Sequence, residues 1–125
     1  MTKSKKDYLT IDRSKWRTGS VSNCKSGNGP TQLLNSEGYM CCLGFRCYQM
    51  GIPKKDLLDI PIPQDLSDTW DIPDLVDEFG YNSNFACEAM SINDTNEYTR
   101  EEREEKIKEH FANIGITVEF TGKYK

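Results

Sequence analysis

The residues best suited to do chemistry lie in one short stretch, Arg13-Ser14-Lys15-Trp16-Arg17-Thr18-Gly19, where an indole sits among three cations beside a glycine. Guanidinium groups grip phosphates through paired N–H donors, and a tryptophan face stacks on a nucleobase or receives a cation. The spacing therefore suits a nucleotide better than a bare anion. The competing reading is a Trp in the core, flanked by solubilising cations. A stretch rich in Gly, Ser and Asn follows (Ser20, Ser22, Asn23, Ser26, Gly27, Asn28, Gly29, closing at Pro30), and a long loop of this kind is often a binding element. Gly27 and Gly29 resemble a phosphate cradle only faintly. No Gly-Lys-Ser/Thr or GxGxxG follows, so neither a P-loop nor a dinucleotide-binding turn is expected.

Three further constellations could carry chemistry. Cys41 or Cys42 would be a nucleophile if His110, the single histidine, acted as its base. His110 falls on a charged helical stretch with no third orienting group, so buried structural thiols are the stronger expectation and an enzyme is not. A zinc site from Cys24, Cys41 or Cys42, Cys47 and Cys87 lacks paired CxxC spacing, and no metal or cofactor is expected. The carboxylates Asp65, Asp68, Asp71, Asp74, Asp77 and Glu78 do not match a calcium loop and read as solvated charge. With Glu101–Glu105 they also make a surface for a protein partner, including a DNA-mimic surface.

Composition narrows the class. At 125 residues with 36% hydrophobic content the chain is expected to be one domain, residues 1–125, with a compact core and residues 1–6 a frayed basic tail. The longest apolar run, Met40–Phe45, is far too short to span a bilayer. The basic N-terminus lacks the apolar stretch of a signal peptide, so a cytoplasmic location is expected. Five cysteines, an odd number with three inside seven residues, point to reduced thiols rather than a disulfide scaffold. The net charge of −4 conceals an asymmetry. Residues 1–30 hold seven Lys/Arg against two Asp, whereas residues 56–105 hold fifteen Asp/Glu against two Arg. The basic end would attract phosphates; stable DNA or RNA binding is not expected of so acidic a chain.

These residues must be positioned by a small set of elements. Tyr8–Asp12 alternates and predicts a strand. Met40–Met50 predicts a helix, apolar on most of its circumference and hence central, with Cys42, Arg46 and Gln49 as its mixed polar stripe. Gly44 would let another backbone approach closely, and Gly51 with Pro53 would stop the helix. Residues 54–82 read as meandering loops around Leu57-Leu58, Trp70 and Leu75-Val76. Phe85–Met90 predicts a short helix and Asn93–Asn96 a turn. Thr99-Arg100-Glu101-Glu102 is a capping box opening a helix to about Ile114, with Ile107, Phe111 and Ile114 on its inner face. Ile116–Phe120 alternates cleanly and would pair with Tyr8–Asp12. The expected fold is α+β: a buried central helix, a C-terminal amphipathic helix and a short antiparallel sheet.

Arg13-x-x-Trp16-x-x-Gly19, Leu33-Leu34-Asn35-x-x-Gly38-x-Met40-Cys41-Cys42-Leu43-Gly44-Phe45, Met90-x-x-Asn93-Asp94 and the ending Gly115-Ile-x-Val-Glu-Phe120 together resemble a family of small phage- and prophage-encoded proteins. The chain is similar to the phage anti-CBASS sponges, which bind cyclic nucleotide signals of a bacterial defence system and withhold them from the effector. That resemblance implies immune evasion in the bacterial cytoplasm, a cyclic dinucleotide such as cyclic GMP-AMP as ligand, no turnover, and a homo-oligomer (dimer or tetramer). On it, Trp16 would stack on a base while Arg13 and Arg17 grip phosphates. Ser20, Ser22 and Asn28 would reach base edges, Tyr39 would add a stacking face, and Arg46 would reach in from the helix. The alternatives are an acidic-surface protein inhibitor of a host defence enzyme and a cysteine-dependent hydrolase.

Overall fold

The computed structural model describes residues 7–19, 27–67 and 70–124. Strand β1 (Tyr8–Asp12) and strand β2 (Thr117–Thr121) form a two-stranded sheet in register Leu9↔Val118 and Ile11↔Phe120. Their alternation puts Leu9, Ile11 and Val118 inside and leaves Thr117 and Glu119 exposed. The expected pairing of the two termini forms, but the sheet is parallel rather than antiparallel. Nearly the whole chain separates the strands, so no hairpin fixes their relative direction.

Helix α1 (Cys42–Gln49) is the buried centre of the fold. It starts two residues later than the apolar pattern suggests, because Met40 and Cys41 are held in extended pairing. The Met40 N–H donates to the Lys15 carbonyl (2.9 Å), the Met40 carbonyl accepts from Arg17 N–H (2.8 Å), and the Cys41 N–H donates to Gln32 (3.0 Å). Gly44 meets its expectation of close packing: an added Cβ would lie 1.9 Å from the Leu33 carbonyl oxygen. The supposed polar stripe is corrected, since Cys42 and Arg46 are buried and the exposed side chain of this helix is Tyr48. A short helix α2 (Lys54–Leu57) follows, then a 3-10 turn at Pro63–Asp65 within otherwise irregular chain.

Helix α3 (Asn84–Asp94) is longer than expected and absorbs Asn93 and Asp94, which the turn chemistry had placed outside it. Ser83 caps its start by accepting from Ala86 N–H. Helix α4 (Arg100–Ala112) begins with the expected capping box, both reciprocal bonds of Thr99 and Glu102 being present. Ile107 and Phe111 are buried, but Ile114 lies past the helix end and is half-exposed. The buried guanidinium of Arg103 ties α4 to the end of α3 by donating to the carbonyls of Ile92 (2.6 Å), Asn93 (2.9 Å) and Thr95 (2.7 Å). These are the carbonyls a helix C-terminus leaves without partners. No helix among the described residues is long and apolar enough to cross a membrane.

Candidate functional site

The Arg13–Gly19 segment enters the structure as a 3-10 turn (Arg13–Lys15) and then crosses beside Met40. This sends alternate side chains in opposite directions, and the outcome reverses the roles expected for them. Trp16 points inward and is 0% exposed, with its indole against Phe120 (5.1 Å between centroids) and Tyr124 (6.3 Å). Its Nε1–H donates to the Asn93 side-chain oxygen at 2.8 Å. A ring so covered has no face for a base, so the stacking role assigned to Trp16 is corrected to a core role.

Arg17 is also buried. Its guanidinium donates to the carbonyls of Gly29 (2.5 Å), Gly19 (3.1 Å) and Thr18. Burial lowers its pKa, and the nearby Asp94 carboxylate partly counters this. The phosphate grip expected of Arg17 is therefore corrected: its donors hold the glycine-rich loop to the core. Asn35 completes that clamp. Its amide donates to the carbonyls of Asn28 (2.7 Å) and Pro30 (2.8 Å), while its oxygen accepts from the N–H groups of Glu37 (2.9 Å) and Tyr39 (3.0 Å). Asn28 is exposed with its carbonyl so engaged, and Tyr39 is buried, where a Cβ on Gly27 would meet its ring at 2.7 Å. The Tyr39 ring is thus packing rather than a free stacking face. Ser20, Ser22 and Cys24 lie outside the described residues.

The other two expected cations are neutralised. Arg13 forms a bidentate pair with Glu104 (both N···O 2.8 Å), donates to the Gly122 carbonyl (3.1 Å), and lies near the rings of Phe120 and Tyr124. Hydrogen bonding to Glu104 raises its pKa despite partial burial. Arg46 is buried and pairs with Asp74 (2.9 Å), in a cavity of about 420 Å³ also lined by Asp7 and Asp71. A phosphate there would meet three carboxylates, which corrects the ligand role expected of Arg46.

Of the three cations in Arg13–Gly19, Lys15 is the one left exposed, and it rims a groove between β1, α1 and the start of α2. Met40 and Phe45, both nearly buried, form its floor. Tyr48, 48% exposed, stands at its edge with the Lys54 ammonium 5.3 Å from the ring centroid. Thr10, Asp12 and Gln49 line the remaining wall, and the cavity measures about 350 Å³. The Asp12 carboxylate is engaged, accepting from the Ser14 N–H (3.0 Å) and hydroxyl (2.8 Å). An apolar floor, one accessible ring and two ammonium groups make a surface for a flat anionic molecule. Sequence reasoning missed Tyr48 and Lys54. The signal available was the i, i+3 spacing of Phe45 and Tyr48 on one helical face.

The cysteine–histidine pair does not assemble. Cys41, Cys42 and Cys47 are buried free thiols, and Cys87 is exposed. Burial pushes Cys41 and Cys47 up to about 12 and raises Cys42 as well, so these sulfurs stay protonated at neutral pH. His110 falls on the charged helix α4 but is itself buried. It stacks on Phe85 (4.3 Å), with Nε2 2.8 Å from the Phe85 carbonyl and Nδ1 3.4 Å from Glu88. Among the described residues no group of three or more His, Cys, Asp or Glu is placed to hold a metal ion.

No protein-family model, curated protein or solved structure matches this chain.

Proposed function

We propose that this protein is a binding protein that sequesters a cyclic dinucleotide without turning it over, through the groove of Lys15, Tyr48 and Lys54. The observation that carries the reading is the exposed Tyr48 ring, with the Lys54 ammonium 5.3 Å from its centroid and Lys15 lining the same groove, above the apolar floor of Met40 and Phe45. A base stacks on the ring and a phosphate pairs with a lysine, the two contacts a nucleotide offers and a bare anion does not. Point charges on flexible stems accept phosphate in several orientations, which suits a site that holds rather than reacts. The resemblance to the phage anti-CBASS sponges supplies the ligand class, and with it immune evasion in the bacterial cytoplasm. A cavity of this size takes one nucleotide half of such a ligand.

Calorimetry with a panel of cyclic di- and trinucleotides tests this reading. Binding of at least one is expected, lost by at least tenfold in Tyr48→Ala and weakened in Lys15→Ala and Lys54→Ala. Recovery of the ligand intact after heat denaturation is expected of a sponge, and altered product would indicate an enzyme. Silence across the whole panel would sink the proposal.

A further inference from the structure

The second exposed aromatic site lies at the opposite pole of the charge distribution. Phe79 is 77% exposed and Tyr81 63%, at the tip of a tight turn in the acidic half of the chain. Large aromatic rings held in water are costly and need a reason. Here the turn is built to hold them there. The Asp77 carboxylate accepts from the N–H groups of Phe79 (2.9 Å) and Tyr81 (3.0 Å), the Asp77 N–H donates to the Tyr81 carbonyl (2.8 Å), and Gly80 takes φ +86° to close the turn. Below it, Val76 bridges Asn82, and Asn82 exchanges two bonds with Gln64, at 2.9 and 3.1 Å. A tip ordered in advance loses little conformational entropy when it docks.

We infer that the Phe79–Tyr81 tip docks into the Lys15–Tyr48–Lys54 groove of a second copy of this chain. The two surfaces are complementary in both respects that matter. The tip presents rings beside the exposed acids Asp77 and Glu78, and the groove presents an apolar floor rimmed by Lys15 and Lys54. Charge steers such a contact and an aromatic anchor in a pocket supplies its energy. The contact joins unlike surfaces, so it closes as a reciprocal pair or continues as a chain. It also occupies the groove proposed for the ligand, so a nucleotide and a neighbouring tip exclude one another.

Sedimentation of the full chain across a concentration series, at low and high salt, tests the inference. Concentration-dependent association is expected, weakened by salt. Phe79→Ala and Lys54→Glu should each weaken it at least tenfold with the melting temperature unchanged. Glu78→Lys should do the same, and combining it with Lys54→Glu should restore association. A chain that stays monomeric overturns the inference and leaves the tip to a foreign protein. Association indifferent to these substitutions, or failing to return in the charge swap, overturns it too. Phe79 lies outside the groove, so ligand titration of Phe79→Ala tests the nucleotide reading alone, and association without ligand tests only this one.

Discussion

The side-chain oxygen of Asn93 accepts the indole N–H of Trp16 at 2.8 Å across 77 residues of sequence, and it also accepts the Cys42 N–H at 3.0 Å. One fully buried amide thus ties the Arg13–Gly19 segment to the first residue of α1, where a helix leaves N–H groups without intrahelical partners. Its own N–H₂ donates to the Arg17 carbonyl (2.9 Å) and to Asp94 (2.8 Å). The four bonds make Asn93 the joint between the two motifs that stand out in the sequence.

Replacing that joint should be costly. Asn93→Ala leaves two donors and a carbonyl buried without partners, at ~1–3 kcal/mol for each unsatisfied group. A loss of about 3 kcal/mol or more is expected, read as a lower urea midpoint at unchanged slope. A wild-type midpoint would show that the amide is dispensable.

The cations and rings around the N-terminal segment should separate into two classes. Trp16→Ala removes a fully buried indole and should cost about 3–5 kcal/mol. Arg17→Ala frees the carbonyls of Thr18, Gly19 and Gly29 and should also lower the melting temperature. Lys15→Ala and Tyr48→Ala alter exposed side chains and should stay within about 0.5 kcal/mol of wild type. Thermal melts of the four variants decide the matter; the reverse ranking would place the binding surface back at Trp16.

Gly44 is the least replaceable glycine. Its Cβ position falls 1.9 Å from the Leu33 carbonyl oxygen, a backbone atom that cannot rotate aside. Gly44→Ala should therefore cost at least the ~1–3 kcal/mol of overpacking a core, seen as loss of the cooperative melt. An unchanged melting temperature would mean that α1 and the Leu33 segment are farther apart than this.

Thiol chemistry should report burial residue by residue. At pH 8 alkylation followed by mass spectrometry should mark Cys87 quickly, and Cys41, Cys42 and Cys47 only after denaturation. The raised thiols also have a signed effect on stability. A folded-state pKa above the unfolded value of 9.0 means that their contribution is whole below pH 9 and lost as pH climbs towards about 12. Labelling of Cys41 at the Cys87 rate would contradict this packing.

The ion pair at the sheet should govern the acid limb. Burial pushes the Glu104 carboxyl up, but hydrogen bonds from Arg13 and Tyr124 outweigh it and hold it below the ordinary range. A depressed acid stabilises above its unfolded pKa of 4.5 and loses that contribution as pH falls through the lower folded value. Glu104→Gln should cost about 1 kcal/mol at pH 7, with the difference from wild type shrinking in acid. Asp94, half-buried, is raised by desolvation and runs the other way, so Asp94→Asn should steepen the acid loss that Glu104 causes. Urea titrations at pH 7 and pH 3 measure both effects.

Local order was legible along the chain because local chemistry dictates it. The Thr99–Glu102 box opens α4, alternation marks Tyr8–Asp12 and the terminal strand, and an apolar helix with Gly44 at its contact point forms the centre. What only the tertiary structure decided is direction and partnership. Period-two alternation is the same whether strands run parallel or antiparallel, so the sheet's sense followed from how α4 returns the chain to β1. A cation looks alike in sequence whether it meets phosphate, a carbonyl or a carboxylate. Arg13 found Glu104, Arg17 found the carbonyls of the glycine loop and Arg46 found Asp74, because burying a guanidinium requires partners. Lys15 stayed exposed and lines the groove with Tyr48 and Lys54.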